Sequence, residues 1–191
     1  MLMDMLRNLD DRALMLRYRD DGDVAAFEEL YGRHKGPVYR YLLRQSGDPA
    51  AADDLFQEVW ARVIKARENY RPIAQFNTYL YRLAHNCLVD LVRRSKSRPG
   101  ERHWEDIDDH PPVATTRAPD EETALEETAA QLRVALDSLS DEQREAFLLH
   151  QESGLTLEQI GRVVGVGRET IKSRLRYAVA HLRRRLTVES A

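Results

Sequence analysis

Large apolar residues recur along this chain at steps of three and four, the spacing of helices that bury one face. Phe27, Leu30, Tyr31, Val38, Tyr41 and Leu42 mark one such stretch, with Gly36-Pro37 predicting a kink or break inside it. Gly47-Asp48-Pro49 punctuates next, with Asp48 placed as an N-cap and Pro49 at the first helical position. The following helix carries Leu55, Phe56, Val59, Trp60 and Val63 on one face. Arg67 to Gln75 has weak periodicity and contains Pro72, which predicts a loop. Phe76, Tyr79, Leu80, Leu83, Ala84, Cys87, Leu88, Leu91 and Val92 then form the clearest amphipathic helix of the chain. It runs into a basic cluster, Arg93, Arg94, Lys96 and Arg98, before Pro99-Gly100.

Prolines 99, 111, 112 and 119, many acids and few large apolar residues give the next segment a linker composition. The chain therefore divides into an N-terminal domain over 1–98, a linker over 99–122 and a C-terminal domain over 123–191. Helical periodicity returns with Leu125, Ala129, Leu132 and Leu136. Ser140 with Gln143, and Thr156 with Gln159, read as capping boxes opening two further helices, which Gly154 and Gly165 end. A last helix runs from about Arg168 to Leu186 and buries Ile171, Leu175, Ala178, Val179, Leu182 and Leu186. The predicted fold is all-α: two small helical domains joined by an acidic, Pro-containing linker.

Charge changes this picture more than length does. The net charge of the 191 residues is only -3. Ten acids between Glu101 and Glu127, opposed by Arg102 and Arg117, mask a basic C-terminal helix. There Arg168, Lys172, Arg174, Arg176, Arg183, Arg184 and Arg185 face Glu169 alone. That local field is what a phosphate backbone meets. Cys87 is the single cysteine, so no intrachain disulfide forms, which fits a reducing compartment. The opening residues lack a signal-peptide apolar run, and no stretch is long and apolar enough to span a bilayer. A cytoplasmic protein without direct membrane insertion is expected.

The stretch TLEQIGRVVGVGRETIKSRLRYAVAHLRRRL has the physics of a helix-turn-helix. A short amphipathic helix meets a tight turn at Gly165-Val166-Gly167, and a longer helix follows, apolar on one side and basic on the other. Such a helix can enter the major groove with its N-terminal residues at base edges. Arg168, Glu169, Lys172, Ser173 and Arg176 are the exposed candidates, with Arg174 and Arg183 to Arg185 better suited to the DNA backbone. A solvated basic face on a core helix is the bland alternative, and the short preceding helix and two-glycine turn weigh against it.

Here the sequence resembles a known family, the extracytoplasmic-function sigma factors of RNA polymerase. Thr170-Ile171-Lys172-Ser173-Arg174-Leu175 is similar to the recognition helix of their C-terminal domain. DPAAADDLFQEVWARV and FNTYLYRLAHNCLVDLVRR resemble two helices of their N-terminal domain. The resemblance implies a factor that binds core RNA polymerase, melts the −10 promoter element with the first domain and recognises the −35 element with the second. It implies polymerase contact at Asp53, Asp54, Leu55, Gln57 and Glu58. It places −10 contacts at Asn69, Tyr70, Arg71, Gln75, Asn77, Tyr79, Arg82, Arg93 and Arg94, with Phe76 better explained as core. It places −35 contacts at Arg168, Glu169, Thr170, Lys172, Ser173, Arg174 and Arg176. Core polymerase and promoter DNA are the implied partners, an anti-sigma factor is a further hypothesis, and no cofactor is implied. Two departures stand out. Ala51 replaces an acid of the family's polymerase-binding helix, and Tyr79 replaces a tryptophan.

Catalytic readings find little footing. The chain has no G-x-S-x-G, no phosphate-cradling glycine loop and no H-E-x-x-H, and its six histidines lack ligand spacing. A non-enzymatic protein without a metal site is expected. A conventional helix-turn-helix repressor or response-regulator output domain would share the last two helices. Its receiver or ligand-binding signature is missing from the N-terminal half.

Overall fold

The helices start where short polar side chains can satisfy otherwise orphaned N–H groups. The computed structural model describes residues 2–96 and 129–188. Its elements are α1 (Leu2–Arg7), α2 (Asp11–Asp21), α3 (Val24–Ser46), α4 (Pro49–Lys65), a single 3₁₀ turn (Arg67–Asn69) and α5 (Phe76–Lys96). After the linker come α6 (helical over 129–137), α7 (Asp141–Ser153), α8 (Leu157–Val164) and α9 (Arg168–Val188). The carboxylates of Asp10, Asp23 and Asp48 accept from the N–H of Ala13, Ala26 and Ala50. Ser140 caps α7, and Thr156 and Gln159 form a reciprocal capping box on α8. Each such cap typically contributes about 1 kcal/mol. The predicted linker over 99–122 lies outside the described residues.

The expected break at Gly36-Pro37 does not occur: α3 is continuous through it. Proline removes one i−4 hydrogen bond, and its ring normally pushes the preceding residue out of the helical region. Gly36 has no Cβ for the ring to meet, which removes one part of that steric cost. Packing of α3 against α2, α4, α5 and α7 holds the rest of the helix in place.

Around α3 the first bundle closes on an aromatic cluster. Phe27 lies 4.6 Å from Tyr18 and 5.9 Å from Trp60 between ring centroids, and Tyr31 lies 4.8 Å from Trp60. Leu55, Val59 and Val63 of α4 are buried, as are Phe76, Leu80, Ala84, Cys87 and Leu88 of α5. Val92, the last of the predicted α5 stripe, is exposed, about one turn before the described helix ends. Arg33 ties α1 and α2 to α3: it donates to the carbonyls of Leu6, Arg7 and Leu9 and to the carboxylates of Asp11 and Glu29. Burial would raise the Asp11 carboxyl, but hydrogen bonds and charge from His34 and Arg33 outweigh it and hold it below its ordinary value.

The second bundle packs α7 and α8 on α9. Its core is Leu148, Leu149, Ile160, Val163, Ile171, Leu175, Ala178 and Leu182. The two bundles touch: α7 lies against α3 and α5, and α8 lies against α5. Helix α5 is thus covered on two sides, and Tyr81 and Thr78, outside its predicted apolar stripe, are buried.

Cys87 sits inside the first core at 1% exposure. Desolvation, chiefly, pushes its thiol up to about 11 from an ordinary 9.0. Below both values the thiolate is then roughly a hundredfold scarcer than on a free cysteine. Iodoacetamide at pH 8 is expected to leave Cys87 unmodified in the folded protein and to alkylate it fully in guanidinium. Rapid stoichiometric labelling under native conditions, read by mass spectrometry, would show that the core of the first bundle opens around α5.

Candidate nucleic-acid interface

The turn between α8 and α9 is fixed by backbone, not by side chains. Gly165 adopts φ +76° and its N–H donates to the Gly161 carbonyl. The Val166 N–H donates to the same carbonyl at 2.9 Å. The Gly167 carbonyl accepts from Thr170 at 3.1 Å and Ile171 at 3.2 Å, which starts α9. The chain folds back so closely that a Cβ on Gly161 would lie 2.6 Å from the Val166 carbonyl oxygen. Sequence reading placed the two turn glycines but missed Gly161, whose only trace is a glycine at a buried helical position.

This turn sets which side of α9 is free. Ile171, Leu175, Ala178 and Leu182 face the core. Arg168, Glu169, Thr170, Lys172, Ser173 and Arg176 are exposed, and Arg174 is half-buried. Glu169 sits between two cations, 2.9 Å from Arg168 and 3.6 Å from Lys172. The Arg176 guanidinium lies 5.0 Å from the Tyr177 ring. Such exposed ion pairs are weak in water and exchange readily for phosphate or base contacts. Arg183, Arg184 and Arg185 extend the positive surface toward the end of the helix.

A second surface lies on α4. Asp53, Asp54 and Gln57 are exposed, while Leu55 faces the core at 3% exposure and serves to hold the helix. Tyr39 packs its ring 5.7 Å from Phe56; burial raises its phenol, and a hydrogen bond with Asp53 adds to that. Glu58 belongs to a charged network. Arg62 donates to Glu58 at 2.5 Å and to Asp90 of α5 at 3.1 Å, and Arg94 lies 3.9 Å from Glu58. The Arg62 hydrogen bond holds the Asp90 carboxyl below its ordinary value. Arg93 lies 3.3 Å from the same carboxylate. The network couples α4 to the basic end of α5, a link that spacing alone does not reveal.

The third surface is the 67–76 segment with the first turns of α5. Asn69, Arg71, Gln75 and Arg82 are exposed. Ile73 stands out into solvent at 88% exposure. Tyr70 is buried at 4%, its ring 5.3 Å from Tyr79 and 6.3 Å from Phe76. Burial raises the phenols of both Tyr70 and Tyr79. The Arg19 guanidinium donates to the Tyr70 carbonyl at 3.0 Å, which fixes the loop to α2. Gln75 and Asn77 meet the second bundle: Gln159 Nε2 donates to Gln75 Oε1 at 2.7 Å, and Asn77 Nδ2 donates to the Ser153 carbonyl.

Two family models match the chain, one over each bundle. The family model "Sigma-70 region 2" matches residues 30–98, and "Sigma-70, region 4" matches residues 135–184. ECF RNA polymerase sigma factor SigE of Mycolicibacterium smegmatis is 35% identical over 172 residues, 90% of this chain and 66% of that protein. The ferric citrate uptake sigma factor FecI of Escherichia coli is 33% identical over 155 residues, 81% of this chain and 87% of that protein. Among solved structures, the sigma factor RpoE of Bartonella quintana, in complex with the anti-sigma factor NepR, matches with a TM-score of 0.68 at 22% identity. It covers 85% of this chain and 97% of its own. CnrH, in complex with the cytosolic domain of CnrY, gives the same TM-score over 93% of this chain and 97% of its own.

The close approach at Gly161 makes a direct test of the turn. Gly161→Ala forces a methyl into backbone, which cannot swing aside as a side chain can. Overpacking of this kind typically costs about 1–3 kcal/mol. Urea denaturation should show that loss, with α9 displaced. An unchanged midpoint would mean that the turn relaxes freely.

Proposed function

We infer from one premise, that this chain belongs to the extracytoplasmic-function family of RNA polymerase sigma factors, how its surfaces divide the work of initiation. A sigma factor binds core RNA polymerase and directs transcription initiation at specific promoters. The observation that carries the reading is the pairing of the two sigma-70 regions, in order, with an exposed basic face on the second helix of a helix-turn-helix.

In this reading residues 1–98 form the unit that engages polymerase and the −10 element, and 123–191 form the unit that engages the −35 element. The α9 face enters the duplex major groove. Arg168, Lys172 and Arg176 suit guanine edges or phosphates; Glu169 suits a cytosine amino group; Thr170 and Ser173 suit either kind of edge. Arg174, half-buried, suits the DNA backbone. The exposed acids Asp53 and Asp54, with Gln57 and Glu58, offer polymerase a polar surface over a rigid helix. Leu55 supports that surface from beneath. Ala51 removes one acid from it, and Asp53 and Asp54 carry the remaining charge.

The −10 strand is single when it is read, so it needs donors, acceptors and a stacking surface. Asn69, Arg71, Gln75, Asn77 and Arg82 supply the polar groups. Tyr79 is part-buried and Tyr70 is buried, so Tyr79 is the aromatic better placed to stack on a base. Arg93 and Arg94 follow the phosphates. RpoE is in complex with the anti-sigma factor NepR and CnrH with the cytosolic domain of CnrY, which supports an anti-sigma factor as a further partner here. The site of action is the cytoplasm, where polymerase meets the genome.

Mixing the protein with purified bacterial core polymerase tests the reading. A stoichiometric complex that initiates from promoter fragments supports it. Absence of a complex, with tight binding of the protein alone to palindromic duplex DNA, would favour a conventional repressor. Arg176→Ala should weaken −35 duplex binding by about 1–3 kcal/mol if it reads a base. An equal loss on all duplexes would demote it to a phosphate contact. Asp54→Arg should weaken core binding roughly tenfold, about 1.4 kcal/mol, and leave duplex binding by the second unit intact. Unchanged core affinity would move the polymerase contact off this face of α4.

A further inference from the structure

We propose that Arg19 of α2 is a positioning residue for the −10-reading surface: its guanidinium holds the Tyr70 carbonyl and so fixes, before any DNA arrives, the loop that carries Asn69 and Arg71. The proposal rests on the assignment of residues 69–82 to the −10 strand. It gives work to a helix that lies ahead of the matched sigma-70 region 2, which begins at residue 30.

The segment between α4 and α5 needs a support from outside itself. From Ala66 to Gln75 its regular structure is one 3₁₀ turn, Arg67–Asn69. Its backbone closes on itself over short steps: Asn69 donates to the Ala66 carbonyl at 3.0 Å, Tyr70 to Arg67 at 3.1 Å and Ile73 to Arg71 at 2.8 Å. Such bonds shape turns; they do not tie a loop to the body beneath it. The tie comes from α2. Arg19 Nη1 donates to the Tyr70 carbonyl at 3.0 Å, across 51 residues of sequence. The same guanidinium grips both oxygens of the Asp20 carboxylate, through Nε at 2.6 Å and Nη2 at 2.9 Å. An exposed pair of this kind adds little stability. Its two-point geometry fixes the guanidinium plane and leaves Nη1 aimed at the loop.

A second grip lies at the start of the 3₁₀ turn. The Arg67 guanidinium stands 5.1 Å from the ring of Tyr18, the neighbour of Arg19, and Tyr18 is anchored 4.6 Å from Phe27. The end of α2 therefore holds the loop at both Arg67 and Tyr70.

What the tether fixes follows from the planarity of the peptide group. Holding the Tyr70 carbonyl sets the plane that Tyr70 shares with Arg71, and with it the direction in which the chain leaves toward Arg71. The Tyr70 ring, buried at 4%, packs 5.3 Å from Tyr79, the aromatic better placed to stack on a base. A loop ordered beforehand spares the DNA complex the entropy of ordering it. Each further residue left to be fixed on binding typically costs about tenfold in affinity. Arg19 acts through the loop and is not itself a DNA contact.

The test uses the full chain, free and in holoenzyme with core polymerase. Arg19→Ala removes the tether, and Arg19→Lys keeps a single donor. Arg17→Ala is the control: it breaks the 2.8 Å pair with Asp23 on the same helix, away from the loop. Hydrogen–deuterium exchange of the free proteins reads residues 66–75. Permanganate reactivity of promoter thymines reads strand opening, on a fragment from which the wild-type holoenzyme initiates. Arg19→Ala should speed exchange in the loop and raise the holoenzyme concentration for half-maximal opening about tenfold. Core binding and affinity for −35 duplex should match the wild type, and Arg19→Lys should recover most of the opening. Unchanged loop exchange in Arg19→Ala, faster exchange with unchanged opening, or the same losses in Arg17→Ala overturns the proposal. Asn69→Ala/Arg71→Ala, at exposed residues of the surface itself, separates this role from the reading beneath it. Normal opening by that variant means the −10 assignment has failed. Lost opening there, with normal opening by Arg19→Ala, means the positioning role alone has failed.

Discussion

Everything in this molecule depends on the two-sided burial of α5. One side gives Phe76, Leu80, Ala84, Cys87 and Leu88 to the core of the first bundle. That packing fixes the segment before it and the basic end after it. The other side gives Asn77, Tyr81 and His85 to the second bundle. The first contact is apolar and typical of a folded core, where each fully buried large side chain contributes about 1.5–3 kcal/mol. The second is hydrogen-bonded and ionic, so its net contribution is small against what water offers the same groups. One helix therefore joins an apolar contact to a hydrogen-bonded one.

Charge is arranged in the same layered way. The α9 surface is basic because Glu169, paired with Arg168 and Lys172, is outnumbered by the cations of the helix. The α4 surface is acidic outward at Asp53 and Asp54, while Glu58 is balanced by Arg62. A whole-chain charge of -3 conceals all of this. What a partner meets is the local field, strong only within roughly 10 Å at ordinary salt.

Most of the helices were legible in the sequence because caps and apolar stripes act locally. Asp48-Pro49, Ser140 and Thr156 with Gln159 fall where they were expected. Of the kink or break expected at Gly36-Pro37, the break failed because a local rule met a tertiary one: neighbours on several sides of α3 hold it helical through the proline. The α9 candidates could be chosen from periodicity, since core and free faces alternate along a single helix. The contact between the bundles was not legible. Its members include Glu145, Glu152, Arg40, Arg44, Tyr81 and His85, polar or amphipathic residues that resemble ordinary surface until another element covers them. Tyr81 sits one position from the α5 stripe, and Tyr41 of α3 together with α7 covers it. Gly161 escaped for a related reason: its role is to have no side chain where the backbone returns.

The interleaving on α9 has an evolutionary consequence. Ile171, Leu175, Ala178 and Leu182 hold the helix, while Arg168, Glu169, Lys172, Ser173 and Arg176 between them touch nothing the core needs. In the proposed reading, substitutions at the second set change the message without disturbing the page it is written on. A duplicated gene can then drift to new promoters through single, individually tolerated steps, and a genome can carry many such factors that share one scaffold and one polymerase yet address different genes.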